Sequence, residues 1–202
     1  MNIGVIGRGK MGGNLGKLWA GKGHRVLFGS REPQKAKTMA STIAPNASGG
    51  TYTEAAQFGE AVLLAVPWRA AQDAIKAAGN LVGKVLIDCT NPGLTGLLAG
   101  QTSSAEEIAK WATGARVVKA FNYIGYENLS NPQFGSQQAS AFICGDDEAA
   151  KSVVTRLAED IGFDVVDAGP LPNAQLLESL AMLWVQLARK QGRNIAFKLL
   201  RR

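Results

Sequence analysis

A glycine-rich segment near the start of the chain has the residue types and spacing of a phosphate-binding turn. The segment Gly7-Arg8-Gly9-Lys10-Met11-Gly12 follows an apolar, strand-like run from Asn2 to Ile6 and precedes residues with helical apolar periodicity. In a G-x-G-x-x-G turn the first glycine permits a tight bend, the second lets a pyrophosphate approach the backbone, and the third lets the helix pack closely. The N-terminus of that helix attracts phosphate through free N–H groups and its dipole. The segment therefore predicts a dinucleotide site, with a ligand-free glycine turn as the alternative.

The end of the second strand-like run, Arg25 to Gly29, indicates which dinucleotide is bound. NAD sites usually place an acidic residue about twenty positions after the glycines, where it binds the ribose 2′-hydroxyl. This chain has Ser30 and Arg31 there, and a guanidinium suits a 2′-phosphate because it pairs with phosphate through two hydrogen bonds. Lys35 adds a second cation unless it is only a solvent-exposed helix residue. Glu32 would fit NAD if it faced the ribose, but the pattern favours NADP(H).

Strand-like and helical segments alternate along most of the chain. This alternation predicts an α/β fold of Rossmann type, with a doubly wound, mostly parallel sheet covered on both sides. We expect a turn at residues 48–50 and a surface loop at residues 93–104. Further strands are predicted at residues 61–66, 84–89, 116–120, 140–144 and 163–167, and helices at residues 33–43, 69–78, 105–112 and 148–160.

The character of the chain changes at residue 172, where a wide apolar stripe appears at helical spacing. We predict a Rossmann NAD(P)-binding domain over residues 1–171 and a small helical C-terminal extension over residues 172–202. The extension either packs on its own sheet or contributes to a dimer interface or a lid over the substrate. The stripe consists of Leu176, Leu177, Leu180, Leu183, Trp184 and Leu187.

In doubly wound sheets the ligand lies across the carboxyl ends of the strands. Trp68 at one such end either closes over the cofactor or fills a helix–sheet interface. Asn91 and Asn122 either bond the ribose and nicotinamide or are ordinary turn residues. The predicted cofactor-binding residues are Gly7, Arg8, Gly9, Lys10, Met11, Gly12, Ser30, Arg31, Lys35, Val66, Pro67, Trp68, Asn91, Pro92, Ala120 and Asn122.

Composition excludes several classes of protein. The chain has 202 residues, 46% of them hydrophobic, and its longest apolar runs are far shorter than a membrane span. A strand that starts at residue 2 leaves no room for a signal peptide, and the two cysteines suit buried positions in a reducing compartment, so we expect a cytoplasmic protein. The net charge of +6 lies largely in the C-terminal tail without aromatic interleaving, which predicts no nucleic-acid partner.

A proton carrier for alcohol oxidation is missing from the sequence. Such chemistry needs an acid–base group beside the transferred hydride, but the only histidine, His24, precedes the second strand, far from the carboxyl ends. No metal-ligand spacing is present. Lys119 and Tyr123 are the best polar candidates, although Lys119 could be a plain strand residue, so no catalytic residue is assigned. The shortage favours hydride transfer from one cofactor to another bound carrier, in which the protein mainly positions the two.

Six segments form a recognisable combination: the glycine turn, Gly29-Ser30-Arg31, Val66-Pro67-Trp68, Cys144-Gly145-Asp146-Asp147, residues 167–171 and Leu177-Glu178-Ser179-Leu180. Together they resemble the family of coenzyme F420-dependent NADP oxidoreductases and their bacterial relatives, and the similarity runs along nearly the whole chain. The resemblance implies a homodimer with NADPH across the sheet, Ser30, Arg31 and Lys35 at the 2′-phosphate, and a second cofactor, a deazaflavin in the archaeal enzymes, against the nicotinamide.

Two departures from the archaeal pattern bear on the acceptor. Arg8 and Lys10 stand where the archaeal turn has Thr and Asn, and Ala120-Phe121-Asn122 stands where it has a histidine. The latter segment is more similar to bacterial homologues and to the cytosolic domain of animal six-transmembrane metalloreductases, which pass hydride from NADPH to a flavin. We predict an NADP(H)-dependent oxidoreductase whose acceptor is coenzyme F420 or FMN/FAD. The alternatives are a reductase of a small imine or carbonyl substrate and a non-catalytic NADP-binding redox sensor.

Overall fold

An eight-stranded sheet forms the centre of the protein in a computed structural model, which describes residues 1–43, 45–93 and 102–202. A separate two-stranded hairpin is formed by β7 (Gln133–Phe134) and β8 (Gln137–Gln138). The strands of the large sheet are β1 (Asn2–Ile6), β2 (Arg25–Gly29), β3 (Ala47–Gly50), β4 (Ala61–Leu64), β5 (Val85–Asp88), β6 (Arg116–Lys119), β9 (Ser140–Gly145) and β10 (Asp164–Asp167).

The order of the strands confirms the predicted doubly wound sheet. The strand order is β10-β9-β6-β5-β4-β1-β2-β3, and among the described pairings within this sheet only the β6–β9 pair is antiparallel. The chain winds outward from β1 in one direction through β2 and β3, and in the other through β4, β5 and β6. The carboxyl ends of these six strands therefore share one edge, and the winding reverses beside β1, where such sheets bind ligands.

Helices cover both faces of the sheet. On one face the helices bury Trp19, Ala36 and Val154, and on the other they bury Ile75, Ile108 and Leu177. None of the helices in the described ranges combines the length and apolarity that a membrane crossing requires. The helices are α1 (Lys10–Gly21), α2 (Pro33–Ala40), α3 (Tyr52–Phe58), α4 (Ala71–Ala78), α5 (Ser104–Trp111), α6 (Glu148–Glu159) and α7 (Ala174–Gln191), with 3₁₀ turns at Trp68–Ala70, Tyr126–Asn128 and Leu171–Asn173.

The predicted turn at residues 48–50 is wrong. These residues belong to β3, which pairs in parallel with β2 at the sheet edge. A Cβ atom at Gly49 would lie 2.3 Å from the backbone of Ala36, so the glycine serves a close approach to α2 and not a turn. The β7–β8 hairpin has no counterpart in the sequence prediction. Residues 94–101 of the predicted 93–104 loop lie outside the described residues.

Helix α7 of the C-terminal extension packs against the sheet of its own chain. Helix α7 buries Leu177, Ala181 and Trp184, and the chain after it contacts the start of β9 at Ser140. There the Ser140 N–H donates to the Phe197 carbonyl at 2.9 Å, and the Trp184 indole donates to the Ile195 carbonyl at 3.0 Å. The tail therefore fixes the outer end of α7 against the sheet.

A buried ionic cluster joins α7 to the carboxyl edge of the sheet. The Lys119 ammonium at the end of β6 lies 2.9 Å from Asp88 on β5 and 2.8 Å from Glu178 on α7. It also donates to the Thr90 carbonyl and the Ser104 hydroxyl. Burial alone would lower the pKa of Lys119, but Asp88 and Glu178 outweigh that effect and raise it. The lysine therefore stays charged and holds two strands and two helices together.

Lys119→Met should lower the free energy of unfolding by about 3–5 kcal/mol, because two buried carboxylates lose their shared cation. Lys110→Met is the matched control, since it removes an exposed lysine paired with Glu107 at 2.7 Å and should cost less than about 1 kcal/mol. Denaturant unfolding of the two variants measures both values. Equal, small losses would show that the cluster does not secure α7.

Candidate functional site

The glycine turn between β1 and α1 has the geometry that phosphate binding requires. Gly7 has a φ of 106°, and its N–H donates to the Gly29 carbonyl at 3.2 Å. A Cβ atom at Gly12 would lie 2.0 Å from the Gly7 carbonyl oxygen, whereas one at Gly9 would meet nothing within 4 Å. Gly7 and Gly12 thus serve the bend and the close packing of α1, and open space lies in front of Gly9.

The N-terminus of α1 is available to an anion. Gly9 is the N-cap residue, and no side chain of the described residues caps the helix. Gly13 is the residue whose N–H closes the first turn, on the Gly9 carbonyl at 2.7 Å. The Lys10 ammonium stands beside this end and donates to the Tyr126 hydroxyl at 2.9 Å. Free N–H groups and a positive dipole end make such a terminus a phosphate site.

A cavity of about 280 Å³ lies beyond the end of β2. Val66 in its wall lies beside Gly7, where an added Cβ atom would be 2.9 Å from Val66 Cγ1. This position suits the adenosine part of a dinucleotide. Predicted residues Arg31, Val66 and Pro67 contribute to its wall. Its lining also includes Tyr52, Ala70, Asp73, Ala74 and Ala77, which the sequence prediction did not include.

Among the charged residues after β2, Glu32 pairs with cations, whereas Arg31 lines the 280 Å³ cavity. Glu32 binds Lys35 at 2.6 Å and lies 4.0 Å from Arg8, and the hydrogen bond from Lys35 lowers the pKa of Glu32. The Ser30 hydroxyl accepts from Arg8 Nε and from the Glu32 N–H. Arg31 is the member of this set that lines the cavity. Glu32 is therefore occupied by cations, and a guanidinium faces the adenosine side.

A second cavity, of about 390 Å³, lies where the ends of β5 and β6 meet α1 and α7. Its wall combines apolar and aromatic side chains with a few polar ones, as small-molecule sites do. No histidine or carboxylate belongs to the lining formed by the described residues. That lining is Met11, Cys89, Asn91, Gly93, Asn122, Tyr123, Ile124, Gly125, Tyr126, Ala181, Met182, Trp184, Val185 and Arg193.

Two asparagines form the polar corner of this second cavity. Asn122 donates to Asn91 Oδ1 at 3.0 Å and to the Leu177 carbonyl at 2.9 Å, while its own Oδ1 has no partner among the described residues. The preceding Phe121 has a φ of 62° and is fully buried, with its ring 6.1 Å from that of Trp19. A non-glycine residue in this region is strained, so the packing of Phe121 maintains the backbone turn that places Asn122 at the cavity.

The two polar candidates for catalysis are structural residues. Lys119 has no exposed surface and belongs to the ionic cluster. Tyr123 lines the cavity, but its hydroxyl donates to the Ser140 carbonyl and accepts from the Phe142 N–H, both at 2.6 Å, and burial raises its pKa. His24 lies at the opposite edge of the sheet, 3.0 Å from Asp160. None of the three is placed to carry a proton to the cavity.

The described lining of either cavity does not include three other predicted residues, Trp68, Ala120 and Pro92. The half-buried Trp68 stacks on Trp111, with ring centroids 5.1 Å apart. The Ala120 side chain is fully buried in the core, and Pro92 is half-buried beside Asn91. The sequence prediction missed the cavity residues of α7 because their apolar stripe is indistinguishable from an ordinary packing face.

The chain is similar both to a protein-family model and to individual known proteins. Residues 2–92 match the model of the family described as NADP oxidoreductase, coenzyme F420-dependent. The F420-dependent NADP reductase of Methanothermobacter marburgensis is 32% identical over 208 residues, covering 93% of this chain and 92% of that protein. Rat metalloreductase STEAP3 is 31% identical over 182 residues, or 89% of this chain, but this match spans only 36% of the metalloreductase.

A solved structure agrees with these sequence relatives. An Arthrobacter sp. FB24 protein that was proposed to be an F420-dependent NADP reductase superimposes with a TM-score of 0.90. Its sequence is 29% identical, and the match covers 100% of both chains. The similarity therefore includes the C-terminal helix and tail, which lie beyond the residues matched by the family model.

The two thiols should be unreactive in the folded protein. Burial raises the pKa of Cys89 and of Cys144 to about 12, so almost no thiolate forms at about pH 8, and the thiolate is the reactive species. We expect Ellman's reagent to detect both cysteines only after unfolding in guanidinium chloride. Ser152→Cys, at an exposed position on α6, is the control and should react at the ordinary rate. Rapid reaction of the native thiols would contradict their burial.

Proposed function

The chain belongs to the family of F420-dependent NADP oxidoreductases, and from this membership and the geometry of its site we propose that it transfers hydride between NADPH and a flavin-type carrier. The family makes it an NADP-dependent oxidoreductase. The carrier, either coenzyme F420 or FMN/FAD, is the part that the proposal adds.

In this proposal NADPH extends from the 280 Å³ cavity past the glycine turn to the 390 Å³ cavity. The glycine turn and the N-terminus of α1 receive the pyrophosphate, because a side chain at Gly9 is absent and the space before it is open. The Arg31 guanidinium, with Arg8 and Lys35 nearby, provides the charge for the 2′-phosphate. Asn91 and Asn122 line the 390 Å³ cavity, and they are the polar side chains proposed to bind the nicotinamide end.

The observation that carries the proposal is the lining of the 390 Å³ cavity. When bound, NADPH supplies the hydride, and a flavin-type ring accepts it directly. The described wall offers flat and apolar surfaces from Tyr126, Trp184 and Met182 and contains no histidine or carboxylate. Its task is to hold two planar groups at a productive distance and to exclude water, which favours hydride transfer without acid–base catalysis by the protein.

Loss of nicotinamide absorbance with coenzyme F420, FMN or FAD added separately tests the proposal. Oxidation of NADPH by at least one of these carriers is the expected result. Turnover of imines or carbonyl compounds with no flavin present would instead support a small-substrate reductase. Tight NADPH binding with no oxidation by any of these acceptors would support a redox sensor.

Arg31→Ala should weaken NADPH binding by about 10- to 100-fold, the loss expected for a hydrogen bond between charged groups, and leave NADH binding almost unchanged. Fluorescence titration of both nucleotides measures the difference. Lys37→Ala removes an exposed cation from the next helix and is the matched control. Equal losses for NADPH and NADH would contradict the assignment of Arg31 to the 2′-phosphate.

The outer face of α7 supports a homodimer as part of the proposal. Leu176 is 66% exposed and Leu183 is 49% exposed, and Leu180 and Leu187 lie between and after them at coiled-coil spacing. Monomers rarely expose such a continuous apolar stripe. A second copy of α7 supplies a matching apolar surface, because a two-fold axis pairs each stripe with itself.

Leu183→Glu should convert the dimer into a monomer, because it places a charge at the centre of the stripe. Light scattering after size-exclusion chromatography gives the mass of the wild-type protein and of the variant. Gln186→Glu adds the same charge at an exposed position one turn further along α7 and should leave the dimer intact. A monomeric wild-type protein at micromolar concentration would refute this arrangement.

A further inference from the structure

One cation lines the 390 Å³ cavity among the residues that the structure describes, and it has an unusual setting. Arg193 follows the end of α7 at the outer side of this cavity. Its guanidinium carbon lies 5.0 Å from the ring centroid of Trp184 and 5.5 Å from that of Tyr126. Aromatic rings beside a guanidinium orient its plane and restrict its motion. The cavity thus has a flat aromatic wall that ends in a positive charge.

The backbone that carries Arg193 is held in place. Asn128, which is 4% exposed, donates through Nδ2 to the carbonyls of Arg193 and Ile195, both at 3.0 Å. Gly192, with a φ of 84°, makes the turn that directs the chain away from α7. A buried amide that binds two carbonyls of the tail fixes the starting point of the arginine side chain.

The guanidinium retains unused donors. Its Nε donates to Glu127 Oε1, and the terminal nitrogens form no hydrogen bond with any described residue. An arginine can give two parallel hydrogen bonds to a phosphate through these groups. Glu127 can therefore keep Nε and hold the plane of the guanidinium while a ligand binds at the other two nitrogens.

We propose that Arg193 binds the phosphate on the side chain of the flavin-type carrier and thereby selects phosphorylated carriers. This inference rests on the proposed function. FMN, FAD and coenzyme F420 share this chemistry, a planar ring joined to a phosphate through a sugar-alcohol chain. The ring lies against Tyr126 and Trp184 inside the cavity, and the phosphate meets the guanidinium at its mouth. Arg193 is a positioning and specificity residue and takes no part in hydride transfer.

The pyrophosphate of NADPH has a different cation. Lys10 belongs to the glycine turn and lies 4.5 Å from the ring centroid of Tyr126, to whose hydroxyl it donates. Arg193 approaches the same ring from the C-terminal end of α7. Tyr126 therefore stands between a cation of the dinucleotide site and a cation of the carrier site, so the two anions have separate partners.

Comparison of FMN with riboflavin, which lacks the phosphate, tests the role of Arg193. The wild-type protein should show a KM for FMN at least about tenfold below that for riboflavin, as one charged hydrogen-bonded contact implies. In Arg193→Ala the KM for FMN should rise to the riboflavin value, with kcat, the KM for riboflavin and the affinity for NADPH unchanged. Arg193→Lys should restore part of the difference. Arg189→Ala, an exposed cation in the last turn of α7, is the control and should behave as wild type.

Binding measured without turnover separates this inference from the proposed function. Fluorescence titration of the NADP⁺-loaded protein with FMN and riboflavin, and with coenzyme F420 and its phosphate-free core, reports affinity whether or not hydride is transferred. Tighter binding of the phosphorylated member, abolished in Arg193→Ala, supports the inference even if no oxidation occurs. Equal binding within both pairs, an equal effect of the substitution on both members, or a loss of NADPH affinity would overturn it. Absence of binding by either pair would overturn both proposals.

Discussion

The ion cluster around Lys119 is the interaction on which the geometry of the site depends. Rossmann sheets present their strand ends to ligands, but those ends alone make an open edge and not a cavity. The ion pairs of Lys119 with Asp88 and Glu178 hold α7 over this edge. Glu178 lies 59 residues after Lys119 in the chain. Because the charges are fully buried, losing one partner leaves another without compensation, so the cluster allows one position of α7. The second cavity exists because that position is fixed.

The glycine turn between β1 and α1 imposes a second constraint. Close contact between Gly12 and the Gly7 carbonyl sets the distance of α1 from β1, and with it the position of the helix N-terminus. Three cations stand at separate points along this edge: Arg31 at the 280 Å³ cavity, Lys10 at the glycine turn and Arg193 at the 390 Å³ cavity. Cations placed in this way match ligands that carry phosphates at separate points.

The chemistry of the cavity follows from what its wall contains. Lys119 and Tyr123 are both engaged by buried partners, and the described lining offers amide, thiol and aromatic groups. Among the described residues, this lining contains no imidazole or carboxylate of the kind that usually assists proton transfer to an alkoxide. It can fix the faces and the separation of two rings, and hydride transfer between carriers depends mainly on those quantities.

The sequence by itself determined the Rossmann fold, the glycine turn and the NADP-type strand end. These features follow from local rules: steric freedom at glycine, the period of apolar residues, and the residue type immediately after a strand. Tertiary structure alone decided that Lys119 is an internal ion pair, that residues 48–50 form an edge strand, and that Arg193 and Trp184 complete the second cavity. Those outcomes depend on pairings between residues far apart in the chain. The same lysine or glycine has no local signal for burial or for strand pairing, because only the packed fold determines which partner it meets.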